Sequence, residues 1–161
     1  MKTVLTHTTN YHVWANNTII GFIENISGDQ LTATVVSSFA TIKATVVHLA
    51  NAEYNWLQRV QGTSVWETKI TEENTLTEIT DFWKQQSQQW CDVVAAHDIT
   101  GLMQPIDHQN LSGQHHSLDL YKIIMHVCNH ATYHRGQLVT MLRQVGYTQL
   151  SSLDMSTFFR L

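Results

Sequence analysis

The chain has 161 residues, is 43% hydrophobic and only 14% charged, and carries a formal charge of −4 with its histidines neutral. This balance excludes a long disordered tail and, with no cluster of Lys or Arg, leaves nothing to hold a nucleic-acid backbone. The length suits one domain, residues 1–161, with a real core; no stretch approaches the roughly 18 apolar residues of a membrane span, and the two isolated cysteines, Cys91 and Cys128, read as reduced core thiols of a cytoplasmic protein.

A single proline and seven glycines leave long uninterrupted segments, which favours helices. The first is expected over residues 8–26, where Tyr11, Trp14, Ala15, Thr18, Ile19 and Phe22 recur at helical spacing before Ser27-Gly28-Asp29 ends it. The second is expected over residues 37–60: Phe39, Ile42, Val46, Leu49, Glu53, Trp56 and Val60 alternate in steps of three and four, and Gln61-Gly62 stops the run. Glu53 is the odd member of that seam, because a buried carboxylate needs a partner; Arg135 or another base of the last helix is the expected one.

The third helix should begin at Asn74 or Thr75 and run to about His97, since Thr75-Leu76-Thr77-Glu78 is a capping box and Ile79, Phe82 or Trp83, Trp90 and Val94 supply an apolar face. Residues 98–116 read as irregular, with a turn at Asn110-Leu111-Ser112-Gly113 and room for a short hairpin around it. The fourth helix is expected from Ser117 or Leu118 to Val145, capped by Ser117 and closed by Gly146 at the left-handed C′ position. The tail carries Leu150, Leu153, Met155, Phe158 and Phe159, apolar mass that should dock on the rest. The fold class is therefore all-α: an up-down four-helix bundle with an irregular or hairpin connection before the last long helix and a docked C-terminal tail.

Ten histidines form the compositional oddity, and three fall four residues apart in HVCNHATYHRGQ, residues 126–137. On the fourth helix Leu120, Ile123, Val127, His130, His134, Leu138, Met141 and Val145 make one stripe, so His130 and His134 are expected at core positions. Two imidazoles buried without partners are costly, and at a spacing of four they share a face and can reach one ion. A metal therefore explains the pair better than two hydrogen-bonded core histidines. His126 lies eight residues before His134, about 12 Å along the axis, too far to share a centre whose Zn–N bonds are about 2.0–2.1 Å. It pairs with His130 or stands behind it, and a third ligand must come from another helix.

Spacing alone leaves that ligand open. His97, His108, His115 and His116 read as solvated residues of helix ends and loop, His12 as surface-facing beside Asn16, and His48 as lying on the flank of the second helix's seam between Ala44 and Ala52. Tyr133 reads as an interhelical side chain, with a role as a proton or hydrogen-bond donor to substrate left open.

The segments YHVWANNTII, HLANAEYNWLQRVQG, HVCNHATYHRGQLVTMLRQVG and LDMSTFF together resemble the DinB (damage-inducible) family of small bacterial proteins, within the DinB/YfiT-like superfamily of metalloenzymes. The resemblance implies a four-helix bundle, commonly a homodimer, with a divalent ion held by three imidazoles, which in this chain are His48, His130 and His134. Neutral imidazoles suit nickel or zinc, with iron(II) as a further candidate. Relatives in the superfamily include thiol-dependent S-transferases, so the resemblance implies an enzyme that activates a low-molecular-weight thiol and adds it to an electrophilic small molecule, or a related hydrolase. The alternative is a non-catalytic metal-binding or stress-response protein whose ion is structural. Neither nucleic acid nor membrane is an expected partner.

Overall fold

The computed structural model describes residues 1–63, 66–110 and 112–161. Four long helices form its body: α1 (Lys2–Ile23), α3 (Ile42–Val60), α4 (Leu76–Ala96) and α6 (Leu120–Gln144), joined by the short helices α2 (Gly28–Thr32) and α5 (Ile99–Leu102) and followed by α7 (Met155–Phe158). An antiparallel hairpin, β1 (Pro105–Gln109) with β2 (His115–Asp119), precedes α6, with His108 opposite His116. Leu111, within the expected turn, lies outside the described residues. Among the described residues no helix is long and apolar enough to cross a membrane.

The four-helix bundle is present, but its helices do not simply alternate in direction. One end of the core gathers Ile19, Ile23, Ile42, Val46, Ile79, Trp83, Leu138 and Met141; the other gathers Leu5, Leu57, Trp90, Val94, Leu120 and Ile123. Hence α1 and α6 run one way, α3 and α4 the other. The order is up, down, down, up. Because α3 and α4 are parallel, the link between them must return the length of the bundle. Two asparagines of α3 pin it there. Asn51 accepts from the Lys69 amide at 2.9 Å and donates to the Ile70 carbonyl at 2.7 Å. Asn55 accepts from the Glu67 amide at 2.8 Å and donates to its carbonyl at 2.7 Å. Side-chain amides thus replace the ladder partners this extended segment lacks.

Helix boundaries differ from expectation where side-chain chemistry overrides pattern. Helix α1 begins at Lys2 rather than Thr8: Leu5 is buried, and Thr6, Thr8 and Thr9 each donate to the carbonyl four residues back, which satisfies hydroxyls that otherwise disfavour a helix. It ends at Ile23, because Ser27 and Gln30 form a capping box that starts α2. Helix α3 starts at Ile42, capped by Thr41, not at Ser37. Ser117 caps nothing; it sits in β2 opposite Asp107, and α6 begins directly after the strand. The Thr75–Glu78 box opens α4 as read, and Gly146 closes α6 at φ +89° with Tyr147 N–H bonded back to the Leu142 carbonyl at 2.9 Å. The tail docks on α1: Tyr11 Oη donates to the Leu153 carbonyl at 2.8 Å, and the Phe158 ring lies 5.7 Å from that of Trp14.

At mid-bundle the apolar core is interrupted by a polar network that joins all four long helices. The Glu53 carboxylate accepts from Trp83 Nε1 at 2.7 Å, Asn16 Nδ2 at 3.0 Å and Ser87 Oγ at 3.0 Å, and pairs with His12 Nε2 at 3.1 Å. Arg135 of α6 joins through Asn16, donating to its Oδ1 at 2.6 Å. Two expectations are corrected here. The basic partner of Glu53 is the His12 imidazole of α1, not a side chain of the last helix, and His12 is fully buried rather than surface-facing. Burial alone would raise the Glu53 pKa; the His12 charge and the hydrogen bonds from His12, Trp83 and Ser87 outweigh it and hold it below the usual carboxylate value. Replacing Glu53 with Ala strands these donors and should cost about 3–5 kcal/mol, whereas Glu53→Gln, which keeps volume and one acceptor, should cost less. Urea unfolding of both variants measures the difference, and equal losses would refute the network's role.

Candidate metal centre

Helices α3 and α6 are antiparallel, with Thr45 beside Met141, His48 beside His130 and His134, and Trp56 beside His126. This register brings one imidazole from α3 against two from α6. Ligand nitrogens of His48, His130 and His134 lie within 4.8 Å of one another, and no other group of three or more His, Cys, Asp or Glu converges in this way among the described residues. His48 Nε2 and His130 Nε2 are 3.2 Å apart. Two nitrogens sharing one ion at about 2.0–2.1 Å would stand roughly 2.9–3.4 Å apart, so this pair is spaced as two ligands of one ion are.

The rings stand at the edge of the bundle, not in its middle. The buried stripe of α6 runs through Val127, Cys128, Ala131, His134, Arg135 and Leu138, so His130, expected in the core, is half-exposed, and Arg135 takes the central place. Gln137 orients His134: its Oε1 lies 2.7 Å from His134 Nδ1 while its Nε2 donates to Ser38 Oγ at 2.7 Å. With the amide assigned by this network, Nδ1 carries the proton, which leaves Nε2 as the unprotonated nitrogen available to an ion. Because α3 starts at Ile42, Phe39 in the preceding link is free to fold over the site, its ring 4.5 Å from His48 and 5.7 Å from His134. Neither Phe39 nor Ser38 could be assigned to the site from spacing, which reads both as part of a helix over residues 37–60, whereas they precede its start at Ile42.

Burial first, and repulsion from His134 second, pull His48 and His130 down to about 4. Both are neutral at neutral pH, the form a metal requires. His134 is also lowered, chiefly by burial.

The remaining candidates are dispersed. The His126 ring stacks 5.9 Å from His130 and 5.0 Å from Trp56, behind the centre rather than in it. His108 is buried against Trp56 at 5.2 Å, not solvated as expected. His115 and His116 are exposed on the hairpin, and His97 bonds the Val93 carbonyl at the end of α4. Tyr133 is not interhelical: it is 60% exposed, its ring 5.0 Å from His134, on the rim of the site. Cys128 is buried with its thiol pushed up to about 12, which removes it as a nucleophile. A cleft of about 500 Å³ lined by Val60, Gln89, Val93, His97 and Gly101 lies elsewhere and gathers no comparable donors.

The architecture and this triple of imidazoles define a helical bundle with a three-nitrogen site between two antiparallel helices. The DinB family sequence profile matches residues 1–156, and the chain belongs to that family. It is 26% identical over 145 residues to protein DinB of Bacillus subtilis strain 168, covering 85% of this chain and 83% of that one. Among solved structures it resembles a DinB-like protein of Bacillus cereus (TM-score 0.64, 16% identity, 86% of this chain and 90% of the other). It also resembles YfiT of Bacillus subtilis, described as a probable metal-dependent hydrolase with an unusual four-helix bundle topology (TM-score 0.68, 11% identity, 88% and 87%). At these identities the likeness to the solved structures establishes the fold.

Because the folded chain resists protonating His48 and His130 while the unfolded chain takes up protons near 6.5, the metal-free protein should lose stability as pH falls from about 6.5 toward 4. Urea midpoints across that window test this. His48→Gln should flatten the fall above about pH 5.5, where the Glu53 carboxyl of the unfolded chain is still almost wholly ionised.

Proposed function

We propose that the chain is a divalent-metal-dependent enzyme in which His48, His130 and His134 hold zinc or nickel, with iron(II) as a further candidate, and that it adds a small thiol to an electrophilic substrate. The observation that carries this reading is a centre of three neutral imidazoles with no Asp, Glu or Cys joining the group among the described residues, set at a half-exposed edge of the bundle. Three protein ligands leave a position for an exogenous molecule, whereas a structural site is ordinarily closed by a fourth. The description of YfiT as a probable metal-dependent hydrolase supports metal dependence in a protein of the same fold.

An ion held at this centre would lower the pKa of a thiol bound at the open position, presenting it as thiolate near neutral pH. The protein's own groups do the rest. Gln137 holds the His134 tautomer, Phe39 covers one side and limits water, and the Tyr133 hydroxyl stands at the rim where a leaving group can take a proton. The thiol proton goes to solvent, the sulfur–carbon bond forms, and the leaving group departs with the electron pair. Among the described residues no carboxylate belongs to the cluster to serve as the base for an attacking water, which weighs against a hydrolysis that needs one.

Zinc- or nickel-loaded protein should catalyse thiol-dependent loss of a chromogenic electrophile such as an aryl halide, and His130→Ala should reduce the rate to background. Turnover without thiol would mark a hydrolase; none above the His130→Ala control with any thiol would leave the ion a structural role. By calorimetry, Gln137→Leu should weaken metal binding about 10–100-fold while leaving the fold intact.

A further inference from the structure

A second feature of α3 lies outside the three-imidazole site. Arg59 is only 7% exposed, yet its guanidinium makes no hydrogen bond or ion pair among the described residues. Its central carbon lies 4.5 Å from the Trp56 ring centroid and 5.6 Å from that of Trp66. The indole faces stabilise the cation but satisfy none of its five in-plane N–H donors. Glu67, on the returning link, is taken by Lys69 at 2.7 Å and Tyr54 Oη at 3.0 Å.

Arg59 follows His48 by eleven residues, three turns, so both fall on nearly the same face of α3 about 16 Å apart along the axis. Helical side chains lean toward the N-terminus, which brings the guanidinium back toward the imidazoles. The space between is bridged by rings: His130 to His126 at 5.9 Å, His126 to Trp56 at 5.0 Å, then the guanidinium. His108 closes on the far side of Trp56 at 5.2 Å. An aromatic wall thus runs from the three-nitrogen centre to a cation that meets no acceptor among the described residues.

We propose that Arg59 is the anion-binding end of the substrate site, taking in its guanidinium fork the carboxylate of an elongated small molecule whose apolar middle lies on His126 and Trp56 and whose reacting atom reaches the His48–His130–His134 centre. This rests on the reading of that centre as catalytic and adds a substrate class: a thiol or electrophile carrying a carboxylate on the order of 10 Å from its reacting atom. A carboxylate suits the planar fork in bidentate fashion, and a half-sandwiched guanidinium offers its edge rather than its faces. Arg59 also lowers the His126 pKa, after burial, as expected of a cation close to that ring.

The test uses the full chain with straight-chain alkanoates of increasing length beside the matching alkanols, read by calorimetry and by the indole NMR signals of Trp56 and Trp66. In chelator-treated wild type the carboxylate should bind about tenfold or more tighter than the alcohol and shift both indoles. Arg59→Gln should abolish that preference and Arg59→Lys should recover part of it. Circular dichroism and zinc affinity should be unchanged in both. Carboxylate and alcohol binding alike in wild type, or a preference that survives Arg59→Gln, would overturn the assignment. Alkyl phosphates binding far more tightly than alkanoates would overturn the carboxylate class. The ω-mercaptoalkanoates on zinc-loaded protein separate the two proposals. A carboxylate preference with no gain from the thiol removes the thiol reading and keeps Arg59, while a thiol gain with no carboxylate preference does the reverse.

Discussion

A carboxylate buried at mid-bundle is the constraint on which the rest of the molecule hangs. Glu53 is removed from water and is tolerable only because α1 and α4 deliver donors to both of its oxygens, with α6 tied in through Arg135 and Asn16. Interdigitated side chains resist sliding one helix past another, and a set of directional bonds narrows the choice further. The network therefore sets the register of the four helices.

The candidate centre inherits that register. Glu53 follows His48 by five residues and Arg135 is the residue after His134, so the groups that lock α3 and α6 are immediate neighbours of those that face each other across the gap. The polar interior and the three-imidazole edge are two sides of one arrangement. In the interior both oxygens of the Glu53 carboxylate are satisfied, whereas the edge holds neutral rings whose ligand nitrogens converge. An arrangement that keeps three imidazoles desolvated and close, against their mutual repulsion when protonated, is preorganised for a cation other than the proton.

The direction of the helices matters as much as their register. Parallel α3 and α4 require a link that retraces the bundle, and Asn51 and Asn55 lay that link along α3. This carries Trp66 to Arg59, just as the non-helical stretch before Thr41 carries Phe39 over His48 and Ser38 to Gln137. Connecting segments thus supply Phe39, Ser38 and Trp66, while the imidazoles and the wall of His126 and Trp56 come from the long helices.

Much of this could be read from the chain alone. Spacing placed α4 and its capping box, the Gly146 stop, and the shared face of His130 and His134, because each depends on residues within a turn or two of one another. Resemblance to known family members, not spacing, singled out His48. What the sequence could not settle was every pairing between distant segments: that His12 turns inward to Glu53, that His130 lies at the edge while Arg135 fills the centre, that α3 and α4 run parallel, and that Arg59 meets two indoles but no anion among the described residues. Local period encodes which side of a helix is apolar. Which other helix meets that side, and at what register, is decided by satisfying buried polar groups across the whole bundle, and that balance exists only once the chain has folded.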